Sequence, residues 1–287
     1  MKKKTAKKSG KRVIAFQGAP GAHSDLACRA VYPGYATLPC MEFEDAFAAV
    51  RDGRADLAMI PIENSVAGRV ADVHHLLPEG GLHIIGEHFQ PIIHHLLAVK
   101  GAKLSDIKRC ESHVQALAQC RNYLRQKHIK PVLHADTAGA AADIAKRGDK
   151  TTAAIASELA GKIYGLKSLA SGIADHKTNT TRFLILSKTA KIPPRGKPCV
   201  TTLVFRVRSL PAALYKALGG FATNGVNITK IESYLVDGQF SKAQFRIDVE
   251  GHPKDKALGR ALEELAFVAN EVKFLGIYPA HKFRLNN

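Results

Sequence analysis

Between Ser187 and Pro198 the sequence loses its regular patterning: Pro193, Pro194, Gly196 and Pro198 fall within a few residues of one another. Proline lacks the backbone donor that helices and sheets require, and glycine leaves the chain unconstrained, so such a run reads as a linker. The stretch C-terminal to this linker restricts the fold most. The pattern reads strand (200–208), helix (211–223), strand (226–236), the turn Asp237-Gly238, strand (239–249), helix (255–269) and strand (272–278). A β-α-β-β-α-β order admits few packings, and it predicts a ferredoxin-like sheet backed by two helices. Ser209 is placed to cap the first of those helices, which begins at Pro211, and Gly225 supplies the turn after it.

Upstream of the linker, short apolar runs alternate with helical patterns. Val13-Ile14-Ala15-Phe16 reads as a buried strand, followed by a loop and a helix from about Ser24. A helix over 44–52 stops at Gly53, and strands are expected at 56–62, 83–86 and 92–99. One helix is expected over 112–126 and a small-residue helix over 138–145. A strand at 153–156 leads into a helix opened by Ser157-Glu158, and Leu184-Ile185-Leu186 reads as a buried strand. This alternation predicts an α/β fold with mostly parallel sheets, in which ligands gather beyond the carboxyl ends of the strands. The expected division is a disordered basic tail (1–12), a first domain (13–187, with a second lobe at about 88–165), a linker (188–198) and a second domain (199–285).

Composition excludes several classes. The formal charge is +17, but seven of the 42 basic side chains lie between Lys2 and Arg12, leaving 35 against 25 acidic ones over the body. There is no Trp, no basic patch interleaved with aromatics and no dense Lys/Arg helix stripe, which argues against a nucleic-acid partner. A mildly basic body also suits a small polyanionic substrate. No apolar run approaches the roughly eighteen residues of a membrane span, and no apolar segment follows the basic start as in a signal peptide. The five cysteines, Cys28, Cys40, Cys110, Cys120 and Cys199, show no Cys-x-x-Cys pair, as expected of reduced thiols in a cytoplasmic protein. Adjacent histidines (His74-His75, His94-His95) would point to opposite faces of a strand, so no metal site is expected.

Polar groups collect at the ends of the expected elements. Gly18-Ala19-Pro20-Gly21-Ala22-His23-Ser24 forms a strand-loop-helix whose free N–H groups could hold a carboxylate or simply turn the chain. It matches neither a dinucleotide fingerprint nor a Walker loop. Pro61-Ile62-Glu63-Asn64-Ser65 follows a strand, where Asn64 and Ser65 could meet a ligand or cap a helix. Ser112-His113-Val114-Gln115-Ala116 and Asp136-Thr137-Ala138-Gly139 open helices, with Thr137 able to cap the second. Asn179-Thr180-Thr181-Arg182-Phe183 places a hydroxyl and a guanidinium at the mouth of a buried strand. Successive strand residues face opposite ways, so if Thr181 faces a cleft, Arg182 either reaches the ligand from the loop end or turns away into an ion pair.

These five segments, in this order, resemble prephenate dehydratases, and the C-terminal module resembles an ACT domain; the likeness covers roughly 13–186 and 200–284 and extends to arogenate dehydratases. The resemblance implies a two-lobed, periplasmic-binding-protein-like catalytic domain with a ferredoxin-like ACT domain. It implies conversion of prephenate to phenylpyruvate with loss of water and carbon dioxide in phenylalanine biosynthesis, with no cofactor and no metal. Thr181 matches the catalytic threonine, with Asn64, Ser65 and Arg182 beside it; Ser24, Gly21, Thr137, Ser112 and Phe183 are implied in substrate binding. Glu63 would repel a dianion and is read as orienting its neighbours. An allosteric phenylalanine site is implied at Ala212, Ala213, Leu214, Asn227, Ile228, Glu232 and Ser233, in a homodimer or homotetramer. The chain departs from the family at His23 (usually Phe or Tyr) and Val114 (usually Pro). It also carries Ala212-Ala213-Leu214-Tyr215 for Gly-Ala-Leu-Val and Glu232-Ser233-Tyr234-Leu235 for Glu-Ser-Arg-Pro.

Overall fold

The structure, a computed structural model, describes residues 10–207, 210–236 and 239–285, the side chains of 236 and 239–242 excepted. Ser209, the turn Asp237-Gly238 and residues 1–9 of the expected tail lie outside the described residues. From its start the chain forms β1 (Val13–Gln17), α1 (His23–Val31), β2 (Ala36–Cys40), α2 (Phe43–Arg51), β3 (Leu57–Asn64), β4 (Gly68–Arg69), α3 (Ala71–Glu79) and β5 (His83–Pro91). Next are β6 (His95–Ala98), β7 (Arg109–Ser112), α4 (Val114–Gln119), α5 (Arg121–Gln126), β8 (Lys130–Leu133) and α6 (Thr137–Arg147). Then come β9 (Thr152–Ala156), α7 (Glu158–Tyr164), β10 (Lys167–Ser171) and β11 (Thr180–Ser187). The remainder is β12 (Cys199–Val207), α8 (Ala213–Thr223), β13 (Ile228–Val236), β14 (Gln239–Glu250), α9 (Lys256–Val268), β15 (Ala269–Pro279) and α10 (Lys282–Leu285). Two compact units result: the chain up to Arg69 with Gln90–Phe183, and Val70–Phe89 with Leu184–Asn287. Among the described residues no helix is long and apolar enough to cross a membrane.

The first unit holds two sheets. In one, β1 runs parallel to both β2 and β3, with Ile14, Ala15, Phe16, Ala58, Met59 and Ile60 fully buried. The other has the order β10-β6-β9-β7-β8 and is mixed: β6 pairs antiparallel with β10 and β9, while β7 runs parallel to β8 and β9. The expectation of mostly parallel sheets therefore fits the first sheet and only half of the second. Both faces of this second sheet are covered. Leu96, Cys110, Leu117, Cys120, Leu124 and Ile155 pack on one side, and Leu97, Ala138, Ala141, Ile144, Ala154 and Ala160 on the other. Burial on two faces is why β9 reads as an unbroken apolar run rather than an alternating one.

The single helix expected over 112–126 is two helices, broken at Cys120 (φ −113°, ψ 19°). The break lets Leu117, Cys120 and Leu124 all reach one core, and no Pro or Gly marks it. Asp136, not Thr137, caps α6: its Oδ1 accepts from Gly139 N at 2.6 Å, and Thr137 is the first helical residue. β2 carries Pro39 and is the edge strand next to β1, where a missing donor costs no ladder bond. Arg12, assigned to the tail, is held: its Nη1 donates to Tyr35 Oη at 3.0 Å and its carbonyl accepts from Ala36 N.

In the second unit β13-β14-β12-β15 pair antiparallel throughout, with α8 and α9 on one face: the ferredoxin-like order predicted from pattern. Phe205, Phe221, Phe245, Ile247, Val249, Leu258 and Leu265 fill the helix side. The segment Val70–Phe89, which a linear cut at 188–198 leaves in the first domain, belongs to this unit. Lys273 Nζ donates to the Pro78 carbonyl, Arg284 grips the buried Glu87 at 2.7 and 3.0 Å, and β5 meets β15 where Gly276 faces Ile84. A Cβ on Gly276 would collide with the Ile84 backbone, so this approach requires glycine. Helix α8 is preceded by Ala212 in the left-handed region (φ 61°), with no side-chain cap.

Candidate active site

Strand alternation sorts the polar residues at the ends of β3 and β11 into two sets. Asn64 and Thr181 meet on one side, Asn64 Nδ2 donating to Thr181 Oγ1 at 2.9 Å. The residues just before and after them, Glu63 and Arg182, meet on the other, Arg182 Nη1 donating to Glu63 Oε1 at 3.0 Å. The Arg182 side chain is only 3% exposed. The structure thus places Arg182 in a buried ion pair and not beside Thr181, because a one-residue step along a strand reverses the face. Ser65 ties the same two chain segments: its N donates to Thr180 O at 2.9 Å, and its Oγ accepts from Thr180 N at 3.0 Å.

Asn64 starts a longer chain of hydrogen bonds whose polarity is determined by the backbone. Its Oδ1 accepts from Val66 N and Ala67 N at 2.9 and 2.8 Å, so the amide cannot be turned round. Its Nδ2 then donates to Asn179 Oδ1 (2.7 Å) as well as to Thr181. Asn179 Nδ2 donates to Gln119 Oε1 at 2.9 Å, and the same oxygen contacts His94 Nε2 at 2.8 Å. Since Gln119 presents oxygen, His94 must carry its proton on Nε2 and its lone pair on Nδ1. Two consequences for the chemistry result. Asn64 has spent its donors and its acceptor and acts by positioning. Thr181 Oγ1 receives a hydrogen bond, and among the described residues its own hydroxyl hydrogen donates to none, so it is available to a ligand.

Asn179 lies in the segment read at the strand mouth but carries no role there, and Gln119 and His94 fall in none of the five segments. Asn179 carries one usable signal, since it lies two residues from Thr181 and so shares its face. Gln119 and His94 look in sequence like ordinary polar residues. His94 is 3% exposed, and His23 stands edge-on to it with ring centroids 5.5 Å apart. Burial first, then the neighbouring His94 and His95, pulls the His23 pKa down to about 3; burial also lowers that of His94. Both rings are therefore neutral at ordinary pH.

The other expected ligand residues fall into distinct places. Gly21 adopts φ +87° and lies against α7, where a Cβ would stand 2.6 Å from Ala160 Cα. Its N–H is taken by Asp25 Oδ2 (2.9 Å) and its carbonyl by Ser157 Oγ, so it shapes the loop and its donor is not open. Ser112 is fully buried with Oγ donating to Ile155 O at 2.6 Å, which uses its hydrogen. Phe183 is a core residue, 1% exposed. Ser24 and Thr137 make no side-chain hydrogen bond among the described residues and keep free hydroxyls.

In the second unit, Ala212, Ala213 and Leu214 form the start of α8, and Leu214 and Ile228 pack against the helix-side core. Asn227 Nδ2 donates to Glu250 Oε2 at 3.1 Å. Ser233 pairs in register with Phe245 on that helix side. Glu232 pairs with Arg246 on the opposite face and holds Lys230 at 3.0 Å. Glu232 and Ser233 do not share a face.

A family profile described as prephenate dehydratase matches residues 14–191. The chain belongs to the prephenate dehydratase family. A bifunctional N-acyl-homoserine lactone acylase/prephenate dehydratase of Komagataeibacter europaeus is 52% identical over 277 residues, spanning 96% of this chain and 99% of that protein. An arogenate dehydratase/prephenate dehydratase of Arabidopsis thaliana is 41% identical, over 93% of this chain and 71% of its own length. Among solved structures, one described as GqqA, a novel type of quorum quenching acylase, aligns with TM-score 0.90 at 52% identity over 95% of this chain and all of that one. The prephenate dehydratase from Arthrobacter aurescens in complex with L-Phe aligns with TM-score 0.86 at 34% identity, over 93% and 90% of the two chains. This dehydratase shares their periplasmic-binding-protein-like fold and is an enzyme of the prephenate/arogenate dehydratase class in phenylalanine biosynthesis. The Asn64–Thr181 pair and the bonds behind it lie within the residues that the family profile matches.

Proposed function

We propose that this enzyme converts prephenate to phenylpyruvate, with the Thr181 hydroxyl donating a hydrogen bond to the departing hydroxyl group. The observation that carries this is the occupied acceptor of Thr181: Asn64 Nδ2 fills it at 2.9 Å in an orientation the backbone dictates, which directs the threonine hydrogen outward. In the reaction the bond from the ring to the carboxylate breaks and its electrons enter the ring. The double bonds shift, and hydroxide leaves from the opposite ring carbon and takes up a proton to become water. Aromatisation drives the step, so the protein need only hold the dianion and stabilise the leaving oxygen. Ser24 and Thr137, with free hydroxyls, are the proposed carboxylate donors. Arg182 acts through Glu63 as a positioning residue for the β3–β11 end.

The experiment is turnover of prephenate and of arogenate by the purified protein beside a Thr181→Ala variant. Loss of a positioned donor is expected to lower kcat by about 10²–10⁴. Undiminished product formation would remove Thr181 from this role, and no turnover of either substrate by the parent would remove the dehydratase reading itself.

The same proposal assigns the C-terminal ferredoxin-like unit as an ACT domain that binds L-phenylalanine as feedback inhibitor, in a homodimer or homotetramer acting in the cytoplasm. The likeness to a relative whose structure holds L-Phe supports it. Equilibrium dialysis with L-phenylalanine tests it, and absence of binding would sink it. Arogenate is the second substrate reading, favoured by the 41% identical Arabidopsis thaliana relative. Acylase activity, named for the 52% identical relative, is a less natural use of this site. A nucleophilic threonine needs an adjacent base, whereas Thr181 Oγ1 is backed by an amide donor.

A further inference from the structure

His23 and His94 leave three ring nitrogens shielded from solvent without a hydrogen-bond partner: both on His23, and Nδ1 of His94. Polar atoms so placed are costly unless something completes them. Their chemistry is defined. The Gln119 contact makes His94 Nδ1 a fixed acceptor, while His23, a neutral ring with no partner holding either nitrogen, offers one N–H and one lone pair and can exchange them. The pair is also linked to the reaction centre. His94 and Thr181 are the two ends of a single hydrogen-bonded chain through Gln119, Asn179 and Asn64.

We propose that the His23–His94 pair is the part of the site that receives the substrate's side chain and tolerates either a carbonyl oxygen or an ammonium group there. This rests on the dehydratase reading and adds to it which residues set substrate choice. The leaving hydroxyl and the side chain occupy opposite ring carbons of the substrate. A reader of the side chain must therefore stand apart from Thr181 yet be held in register with it, as the ends of the chain are. A carbonyl oxygen only accepts, and His23 N–H is the donor that meets it. An ammonium group only donates, and the lone pairs of His94 Nδ1 and of His23 meet it. A pair of neutral rings accommodates both without a buried charge clash. The sequence carries His23 where the family usually has Phe or Tyr.

The test is the specificity constant, kcat/KM, on prephenate and on arogenate for the parent, His23→Phe and His23→Gln, with urea unfolding to establish that each is folded. The parent is expected to turn over both. His23→Phe removes the donor but leaves His94 Nδ1, so kcat/KM for the keto substrate should fall about tenfold or more, with the amino substrate losing less than about threefold. Glutamine, which both donates and accepts, should recover most of the keto activity. A keto-to-amino ratio unchanged within about twofold in His23→Phe, or no recovery in His23→Gln, would overturn the inference and leave the dehydratase reading intact. A parent confined to one of the two substrates would also overturn it, and a parent inactive on both would overturn the two together.

Discussion

Removing Arg182 is expected to damage the fold, and removing its partner with it is expected to repair most of that damage while sparing the chemistry. Arg182 Nη1 lies 3.0 Å from Glu63 Oε1, with the two side chains 3% and 25% exposed. Truncating Arg182 to methionine takes its guanidinium away from a mostly buried carboxylate, which costs about 3–5 kcal/mol by comparison with broken buried pairs. The Arg182→Met/Glu63→Leu double variant removes both charges and should return to within about 1–2 kcal/mol of the parent. Urea unfolding of the four members of this cycle gives the coupling directly. Turnover gives the second readout, because Thr181 and Asn64 face the other way and keep their 2.9 Å bond. The double variant should hold kcat within about tenfold of the parent, far less than a lost donor costs. A folded double variant whose kcat has dropped as far as that of Thr181→Ala would refute the division into two faces and return Arg182 to the substrate.

Three further outcomes rest on single residues. Arg246 is fully buried on β14 opposite Glu232, whose carboxyl pKa its charge helps to lower, and none of its guanidinium nitrogens finds a hydrogen-bond partner among the described residues; Arg246→Met removes that charge and should destabilise the protein by about 3–5 kcal/mol in urea unfolding. A stabilised variant would mean that the cost of burying the guanidinium outweighs its attraction to Glu232. Ala212 holds φ 61°, where a Cβ costs about 1–2 kcal/mol, so Ala212→Gly should raise stability by about 0.5–1 kcal/mol after glycine's entropy loss; an unmoved urea midpoint at unchanged slope would count against that strain. His23, held neutral by burial, takes up a proton only near pH 3 when folded, but near pH 6.5 when unfolded. The unfolded state therefore binds more protons between those values, and stability falls as pH drops through that window, by up to about 1.4 kcal/mol per pH unit. The difference between parent and His23→Phe in unfolding free energy, measured from pH 7 to 4, should show that slope; parallel curves would refute it.

Much of the architecture is written in local pattern. The β-α-β-β-α-β order after the proline-rich linker suffices for the ferredoxin-like sheet, because period-two and period-3.6 apolar repeats with short connections leave one economical packing. The Ser157 cap of α7 is equally local, its Oγ accepting from Ala160 N. Thr181 stands out for the same reason, as a hydroxyl at the mouth of an apolar strand. The limits are as physical. The break at Cys120 obeys the needs of a core, and nothing in the residues themselves demands it. Asp136 outcompetes Thr137 for the cap because Gly139 leaves room for its carboxylate.

What the sequence by itself determined is the set of elements, their order, and which residues stand at their ends, since these depend on bonds and periodicities spanning a few residues. What only the tertiary structure decided is who meets whom. Asn64 and Thr181 are 117 positions apart, and Asn179 and Gln119 are 60 apart. Whether Arg182 joins them or turns to Glu63 depends on one strand's register against another. The assignment of Val70–Phe89 to the second unit has the same origin, in β5 closing against Gly276. Such pairings are settled by packing and by the geometry of hydrogen bonds between distant segments, for which no local pattern in the chain carries a sign.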